Sequence, residues 1–475
     1  MTAGDEALVL AAVEQARLLR RRELSSRELI DACLDRIARR NPRLWAFVEV
    51  AARRARWAAA AKDREITRAV RRGEQDRLPP FCGVPIAIKD LNFVRGLFTR
   101  MGSRNFPRMW SPVDDNTAAQ LRRGGFVIVG KLATSEFGAL PVTEPDIHPP
   151  TRNPWMPAYS AGGSSGGSGS AVASGMLAVA QGSDGAGSIR IPAAFNGIYG
   201  IKPSRGRVAN AYGLPDRDIL YTCGPLSRCV DDAAALLDVM AGVTVGTPHW
   251  LRAPEVAYAQ AAKLPLPRLR VRLSTSAPVD VTVHPAWTAA ARAAARVLAD
   301  AGHDVDEVEM ADGTVDEFIP LYQNQLARVP RARLDRLQPA TRWLVEHGRQ
   351  VSHAQARRIF LDMSRRVHAW VGDADVVITP TVVGPPPAIG AWQALDGEAA
   401  FRAAAVYGVF TAVFNLSGQP AASVPVGLSA EGFPIGVQVV GREGRDDRVL
   451  AVSRVLEAAF PRSVTIAPEP TARAG

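Results

Sequence analysis

Residues 161–190 constrain this 475-residue chain more than any other stretch. A run of glycine and serine, Gly162-Gly163-Ser164-Ser165-Gly166-Gly167-Ser168-Gly169-Ser170, passes directly into the apolar segment Ala171-Val172-Ala173-Ser174-Gly175-Met176-Leu177-Ala178-Val179-Ala180. Gly/Ser runs are the usual composition of flexible linkers. A linker, however, separates independently patterned domains, and this run leads into residues apolar enough for a core. The glycines are better explained as positions where the backbone takes positive φ and approaches a ligand closely, with N–H groups turned inward.

A second glycine-flanked serine follows in Asp184-Gly185-Ala186-Gly187-Ser188-Ile189-Arg190, with Ser188 placed 24 positions after Ser164. Two such serines suggest one hydroxyl that attacks and one that passes a proton, as in a serine hydrolase. G-x-S-x-G occurs around both Ser164 and Ser165, but a nucleophile elbow needs a buried strand just before it and a later acid and histidine. Trp155-Met156-Pro157-Ala158-Tyr159-Ser160 contains a proline and makes no clean strand, and no histidine lies near these stretches. The candidate base is Lys89, which closes the apolar run in Gly83-Val84-Pro85-Ile86-Ala87-Ile88-Lys89-Asp90. A serine hydroxyl needs a neighbouring base, and a lysine serves only if its pKa falls well below the free value of about 10.4. Burial does this by penalising the charged form. Taken alone, Lys89 also fits a strand-end lysine whose ammonium reaches water.

With these segments on the page, the chain resembles the amidase signature family, the Ser-Ser-Lys amide hydrolases. The matching text is 83–90, Gly130-Lys131, Thr151-Arg152-Asn153-Pro154-Trp155, the glycine-serine tract, 187–193, Gly200-Ile201-Lys202-Pro203 and Gly224-Pro225-Leu226-Ser227-Arg228. It continues with Asn415-Leu416-Ser417-Gly418-Gln419-Pro420-Ala421 and Pro434-Ile435-Gly436-Val437-Gln438, so the series spans nearly the whole chain in the family's order. The resemblance implies that Lys89 is the catalytic lysine, Ser164 the bridging serine, usually on a cis peptide bond, and Ser188 the acylated nucleophile. It also implies an oxyanion hole from the backbone N–H groups of Gly185, Ala186, Gly187 and Ser188. The family commonly has Gly-Gly-Ser here, whereas this chain has Ala186, whose methyl narrows the approach while leaving its N–H available. Asp184 and Arg190, which flank the nucleophile segment, read as a charge pair bracing the loop.

Within the family two functional classes compete. One is a self-contained amidase acting on a small aliphatic, aryl or cyclic amide, to which the Thr-Arg-Asn-Pro-Trp and Phe-Asn-Leu-Ser-Gly-Gln-Pro phrasing is similar. The other is the A subunit of a tRNA-dependent amidotransferase, a glutaminase that passes ammonia to a partner. Three stretches look least like family text, 205–222, 310–370 and 384–410, and loops over a rigid scaffold usually select substrate. Tyr212, Tyr221, Tyr322, Gln323, Trp392 and Tyr407 are the candidate liners.

Apolar runs at Val84–Ile88, Phe126–Val129, Leu177–Ala180, Val376–Ile378, Ala422–Val426 and Ile435–Val440 read as buried strands. Helical segments such as Asp231–Met240 and Pro285–Ala301 alternate with them, which predicts an α/β fold. The resemblance implies a large mixed central sheet covered by helices on both faces, within one domain over 1–475. The first 75 or so residues read as helices, with Ser25-Ser26-Arg27-Glu28 as a capping box.

Composition adds exclusions. Four cysteines (33, 82, 223 and 229) fit neither a disulfide framework nor a zinc site, and seven histidines show no metal spacing. His347 and His353 read as helical-face residues, and neither a metal nor an organic cofactor is expected. The net charge of +10 comes from arginines interleaved with alanine and glutamate, the pattern of solvated helix faces, so no nucleic-acid partner is expected. The acidic start Met1-Thr2-Ala3-Gly4-Asp5-Glu6 lacks a signal-peptide pattern, and no run of about 18 apolar residues occurs, so a cytoplasmic protein off the membrane is expected. The oligomeric state, a homodimer included, is left open.

Overall fold

The computed structural model describes residues 2–209, 220–244, 247, 249–310, 313–329, 333–461 and 465–469. Its strands are β1 (Phe47–Val50), β2 (Pro85–Lys89), β3 (Phe98–Thr99), β4 (Met109–Trp110), β5 (Val127–Leu132), β6 (Val179–Asp184) and β7 (Tyr199–Lys202). There follow β8 (Thr222–Ser227), β9 (Arg270–Leu273), β10 (Asp304–Glu307), β11 (Val376–Pro380), β12 (Ala421–Leu428) and β13 (Pro434–Gly441). Eight of them form one mixed sheet in the order β10-β9-β11-β13-β12-β7-β8-β6. The pairs β10/β9 and β9/β11 are parallel and the remaining neighbours antiparallel. A second sheet, β1-β5-β2, abuts the β6 edge. There the N–H of Lys89 donates to Gln181 Oε1 at 2.9 Å, so a side chain bridges the seam. Helices pack onto this scaffold, among them Arg190–Asn196 and Asp446–Ala459 against β12 and β13. The α/β fold with a large mixed sheet is thus the observed architecture.

The glycine-serine tract is core. Gly166–Ala173 forms a helix in which every residue is buried. A Cβ at Gly167 would stand 2.4 Å from the Ala133 amide nitrogen, and one at Gly169 would stand 2.6 Å from Asn196 Nδ2. Real side chains do not fit there, so the tract is glycine-rich because a helix is pressed against neighbouring backbone, as close packing demands.

Four helices occupy the first 75 residues: Ala3–Leu8, Ala12–Arg20, Ser26–Leu44 and Ala52–Arg71. The capping box is present, with the Glu28 N–H donating to Ser25 Oγ at 3.1 Å and the Ser25 N–H to Glu28 Oε2 at 2.9 Å. One correction applies: the reading of this region as helices alone missed β1, which inserts between the last two and pairs antiparallel with β5. It is only four residues long, too short for its alternation to stand out.

The six predicted strands are β2, β5, β6, β11, β12 and β13, and the two predicted helices are Val230–Met240 and Pro285–Asp300. β6 begins two residues later than expected and runs on through polar residues to Asp184; it is buried throughout. All four cysteines are free, and no grouping of metal-binding side chains occurs among the described residues. His347 and His353 lie exposed on two separate helices. Among the described residues one stretch, Gly397–Leu416, is long and apolar enough to cross a membrane, and half of it is buried inside the fold.

Candidate active site

Lys89 ends β2 and is wholly buried. Its Nζ donates to Ser164 Oγ at 2.6 Å, to Ser183 Oγ at 3.0 Å and to the Ser183 carbonyl at 3.3 Å. Burial dominates its titration and pulls its pKa down to about 7, against the opposing pull of Cys223 and Asp184. The neutral amine is therefore well populated at neutral pH. Ser164 follows a cis peptide bond at Gly163–Ser164 and is 2% exposed.

Ser188 sits in the loop that carries the chain from β6 into the helix Arg190–Asn196. Its carbonyl accepts from the Ser165 N–H at 3.2 Å, which ties this loop to the glycine-serine tract. Ser165 in turn donates through Oγ to the Ser183 carbonyl at 3.1 Å. The structure thus gathers the two serine segments and Lys89 at the end of β6. Lys89 and Ser164 are in direct contact, whereas Ser188 is half-buried and faces a cavity.

The loop is held from below by a buried carboxylate. Asp184 and Arg190, both fully buried, form a two-pronged pair with Nε–Oδ2 and Nη2–Oδ1 each at 2.9 Å. Burial alone would raise the Asp184 pKa, but the Arg190 guanidinium overrides it and holds the carboxyl well below the usual range. Asp184 also accepts the N–H of Gly187 (2.6 Å) and of Ile189 (3.1 Å). Arg190 is fixed in turn by the Thr411 carbonyl (3.0 Å), Gln438 Oε1 (2.7 Å) and Asn415 Oδ1 (2.6 Å).

That wiring corrects the oxyanion expectation at one position. The Gly187 N–H is occupied by Asp184, while among the described residues the N–H groups of Gly185, Ala186 and Ser188 make no hydrogen bond. Gly187 instead shapes the turn: its φ is +122°, and a Cβ there would lie 2.2 Å from Thr411 Oγ1. The Thr411 hydroxyl donates to the Ala186 carbonyl at 2.8 Å, which fixes the 186–187 peptide whose N–H Asp184 accepts.

The cavity in front of Ser188 has a volume of about 110 Å³. Its walls are apolar for the most part, with Leu140, Ile191, Phe318, Val367, Phe401 and Val413 among them, and Arg366, ion-paired to Glu317 at 2.8 Å, is its charged lining residue. Of the candidate liners, Tyr322 lines it and donates its hydroxyl to the Ala139 carbonyl at 3.0 Å. Trp392 and Tyr407 pack on one another with ring centres 6.0 Å apart, and Gln323 has its backbone against Gly348. Tyr221 lies behind the site near Asn92 and Cys223, and Tyr212 falls outside the described residues. The stretches 310–370 and 384–410 do supply walls; 139–141, 278–279 and 412–416 do so as well, and sequence reasoning missed them. These short apolar segments carry no signal that separates a cavity wall from ordinary core.

Comparison with known proteins agrees with this geometry. The family model described as Amidase matches residues 28–338 and 327–450. The chain is 34% identical to the 6-aminohexanoate-cyclic-dimer hydrolase of Pseudomonas sp. (strain NK87), over 95% of this chain and 94% of that protein. A solved structure of 6-aminohexanoate cyclic dimer hydrolase superposes with a TM-score of 0.86 at 33% identity, covering 96% of this chain and 98% of the other. The A subunit of the glutamyl-tRNA(Gln) amidotransferase of Thermotoga maritima superposes with a TM-score of 0.79 at 25% identity, covering 98% and 99%. With the family text matched from end to end and the fold shared, the chain belongs to the amidase signature family and is a hydrolase of carbon–nitrogen bonds other than peptide bonds.

Proposed function

We propose that this enzyme cleaves a small carboxamide, linear or cyclic, to a carboxylate and an amine or ammonia through an acyl-Ser188 intermediate. The observation that carries the reading is the 2.6 Å contact between Lys89 Nζ and Ser164 Oγ, made by a lysine whose charged form burial disfavours. Neutral Lys89 accepts the Ser164 proton as Ser164 takes the proton of Ser188, and Ser188 Oγ attacks the amide carbon. The N–H groups of Gly185, Ala186 and Ser188 are the donors offered to the developing oxyanion. The proton returns through Ser164 to the departing nitrogen, which leaves as a neutral amine. Water then opens the acyl ester by the same relay, and the carboxylate departs. The cycle calls for no metal or organic cofactor, and we place it in the cytoplasm without a nucleic-acid or membrane partner.

The likeness to an amidotransferase component supports a second reading, that of a glutaminase working within a complex. The apolar walls of the cavity favour the first, because the charged α-amino and α-carboxylate groups of glutamine would need partners there. A fluorophosphonate probe with peptide mapping, followed by an amide panel on the isolated chain, tests both. Label on Ser188 and turnover of simple amides without tRNA support the stand-alone amidase. Label on Ser164 or Ser165 would overturn the nucleophile assignment, and activity on glutamine alone, dependent on tRNA and a second protein, would replace the stand-alone reading.

A further inference from the structure

A second depression shares no lining residue with the Ser188 cavity. It is a groove of about 380 Å³ over the start of β5, between the helices Ala52–Arg71 and Asn116–Arg123. Its floor is apolar and already buried by the fold: Leu97, Phe126 and Ile128 are 5%, 3% and 6% exposed. Three arginines, Arg54, Arg95 and Arg122, line it, and no acidic residue does. Arg122 is compensated by Asp114, with Nε–Oδ2 at 2.8 Å. Arg54 donates to a neutral acceptor, the Arg95 carbonyl, at 3.2 Å, and among the described residues neither Arg54 nor Arg95 is ion-paired. Trp57, one helical turn beyond Arg54, stands 74% exposed at the edge.

These features are complementary to one class of molecule. Uncompensated guanidinium groups select an anion, and their planar fork matches a carboxylate. The floor offers an apolar body no polar group to desolvate, and an exposed indole is the side chain best able to cover one face of such a body. We infer that the groove is a binding site for a small organic carboxylate with an aliphatic or aryl body. Acids of this kind are what amide hydrolysis releases; that connection rests on the proposed function, whereas the binding site does not. A bound acid would lie on β5, which pairs in parallel with β2, Leu132 standing opposite Lys89.

Titration calorimetry of the full chain with 4-phenylbutyrate at low salt tests the site, because its readout is heat and not turnover. The double variant Arg54→Ala/Arg95→Ala should weaken binding roughly ten- to hundredfold, the worth of hydrogen bonds to a charged group. Trp57→Ala, which keeps both arginines, should also weaken it, and both variants should hydrolyse amides at the wild-type rate in the absence of the acid. Unchanged affinity in the double variant would overturn the proposal, since the acid would then be held elsewhere. So would equal affinity for neutral 4-phenylbutanol, which would remove the anion requirement, or for inorganic phosphate, which would remove the apolar one.

Discussion

Acidity should switch this enzyme on and off around neutrality, and the shape of the switch tests the role of Lys89. The base must be unprotonated to accept a proton, so activity rises with pH. With the ordinary value of 10.5, a lysine at pH 7 would be neutral only about three times in ten thousand; at about 7, Lys89 is neutral about half the time. Burial therefore raises the working fraction by about a thousandfold. Between pH 6 and 8 the neutral fraction of such a group climbs about tenfold and then levels, whereas an unshifted lysine would climb about a hundredfold and continue past pH 10. The assay is kcat/KM on an uncharged amide at constant ionic strength, so that only the enzyme titrates. A plateau above about pH 8 agrees with a lysine desolvated by the fold. A flat profile from pH 6 to 8, or an unbroken rise to pH 10, would refute the reasoning that joins burial to basicity.

On the proposed mechanism Lys89→Ala should lower turnover by about 10²–10⁴ and leave the circular dichroism spectrum unchanged, since the proposed base is lost from a unit that acts jointly. Asp184→Asn should destabilise the fold by about 3–5 kcal/mol in urea denaturation, because it leaves the fully buried Arg190 without its counter-charge. Gly187→Ala should cost about a hundredfold in turnover through displacement of the loop, as φ is +122° there and the added methyl meets Thr411 Oγ1 at 2.2 Å. Gly185→Ala makes the contrast: its Cβ would have nothing within 4 Å, so it should lose far less in the same assay.

The residues that meet at the candidate site were legible because their types are improbable apart from chemistry: a lysine ending an apolar run and two serines set among glycines. The β12/β13 pair was legible too, since both strands are continuous apolar runs. β7 and β8 were not, because Gly200, Gly224 and Pro225 interrupt their apolar runs; the buried sheet overrides the low strand preference of these residues. The engagement of the Gly187 N–H by Asp184 was equally hidden. Sequence shows that a carboxylate stands three residues earlier, but only the bend of the loop decides which amide it takes. The cavity walls were half legible, since variable text located two of the contributing stretches while the rest are short apolar segments of ordinary composition.

The anchoring of Arg190 sets when the enzyme can first work during its own synthesis. The loop around Ser188 hangs on Asp184 and Arg190, and Arg190 is fixed by Asn415 and Gln438, which lie 225 and 248 residues further along. A nascent chain therefore carries Lys89, Ser164 and Ser188 long before it carries the groups that hold the Ser188 loop in place. Until β13 has left the ribosome and docked beside β12, the Arg190 guanidinium lacks Gln438 as an acceptor. Chains cut before β13 would leave the loop around Ser188 short of one of its anchors and should hydrolyse amides poorly.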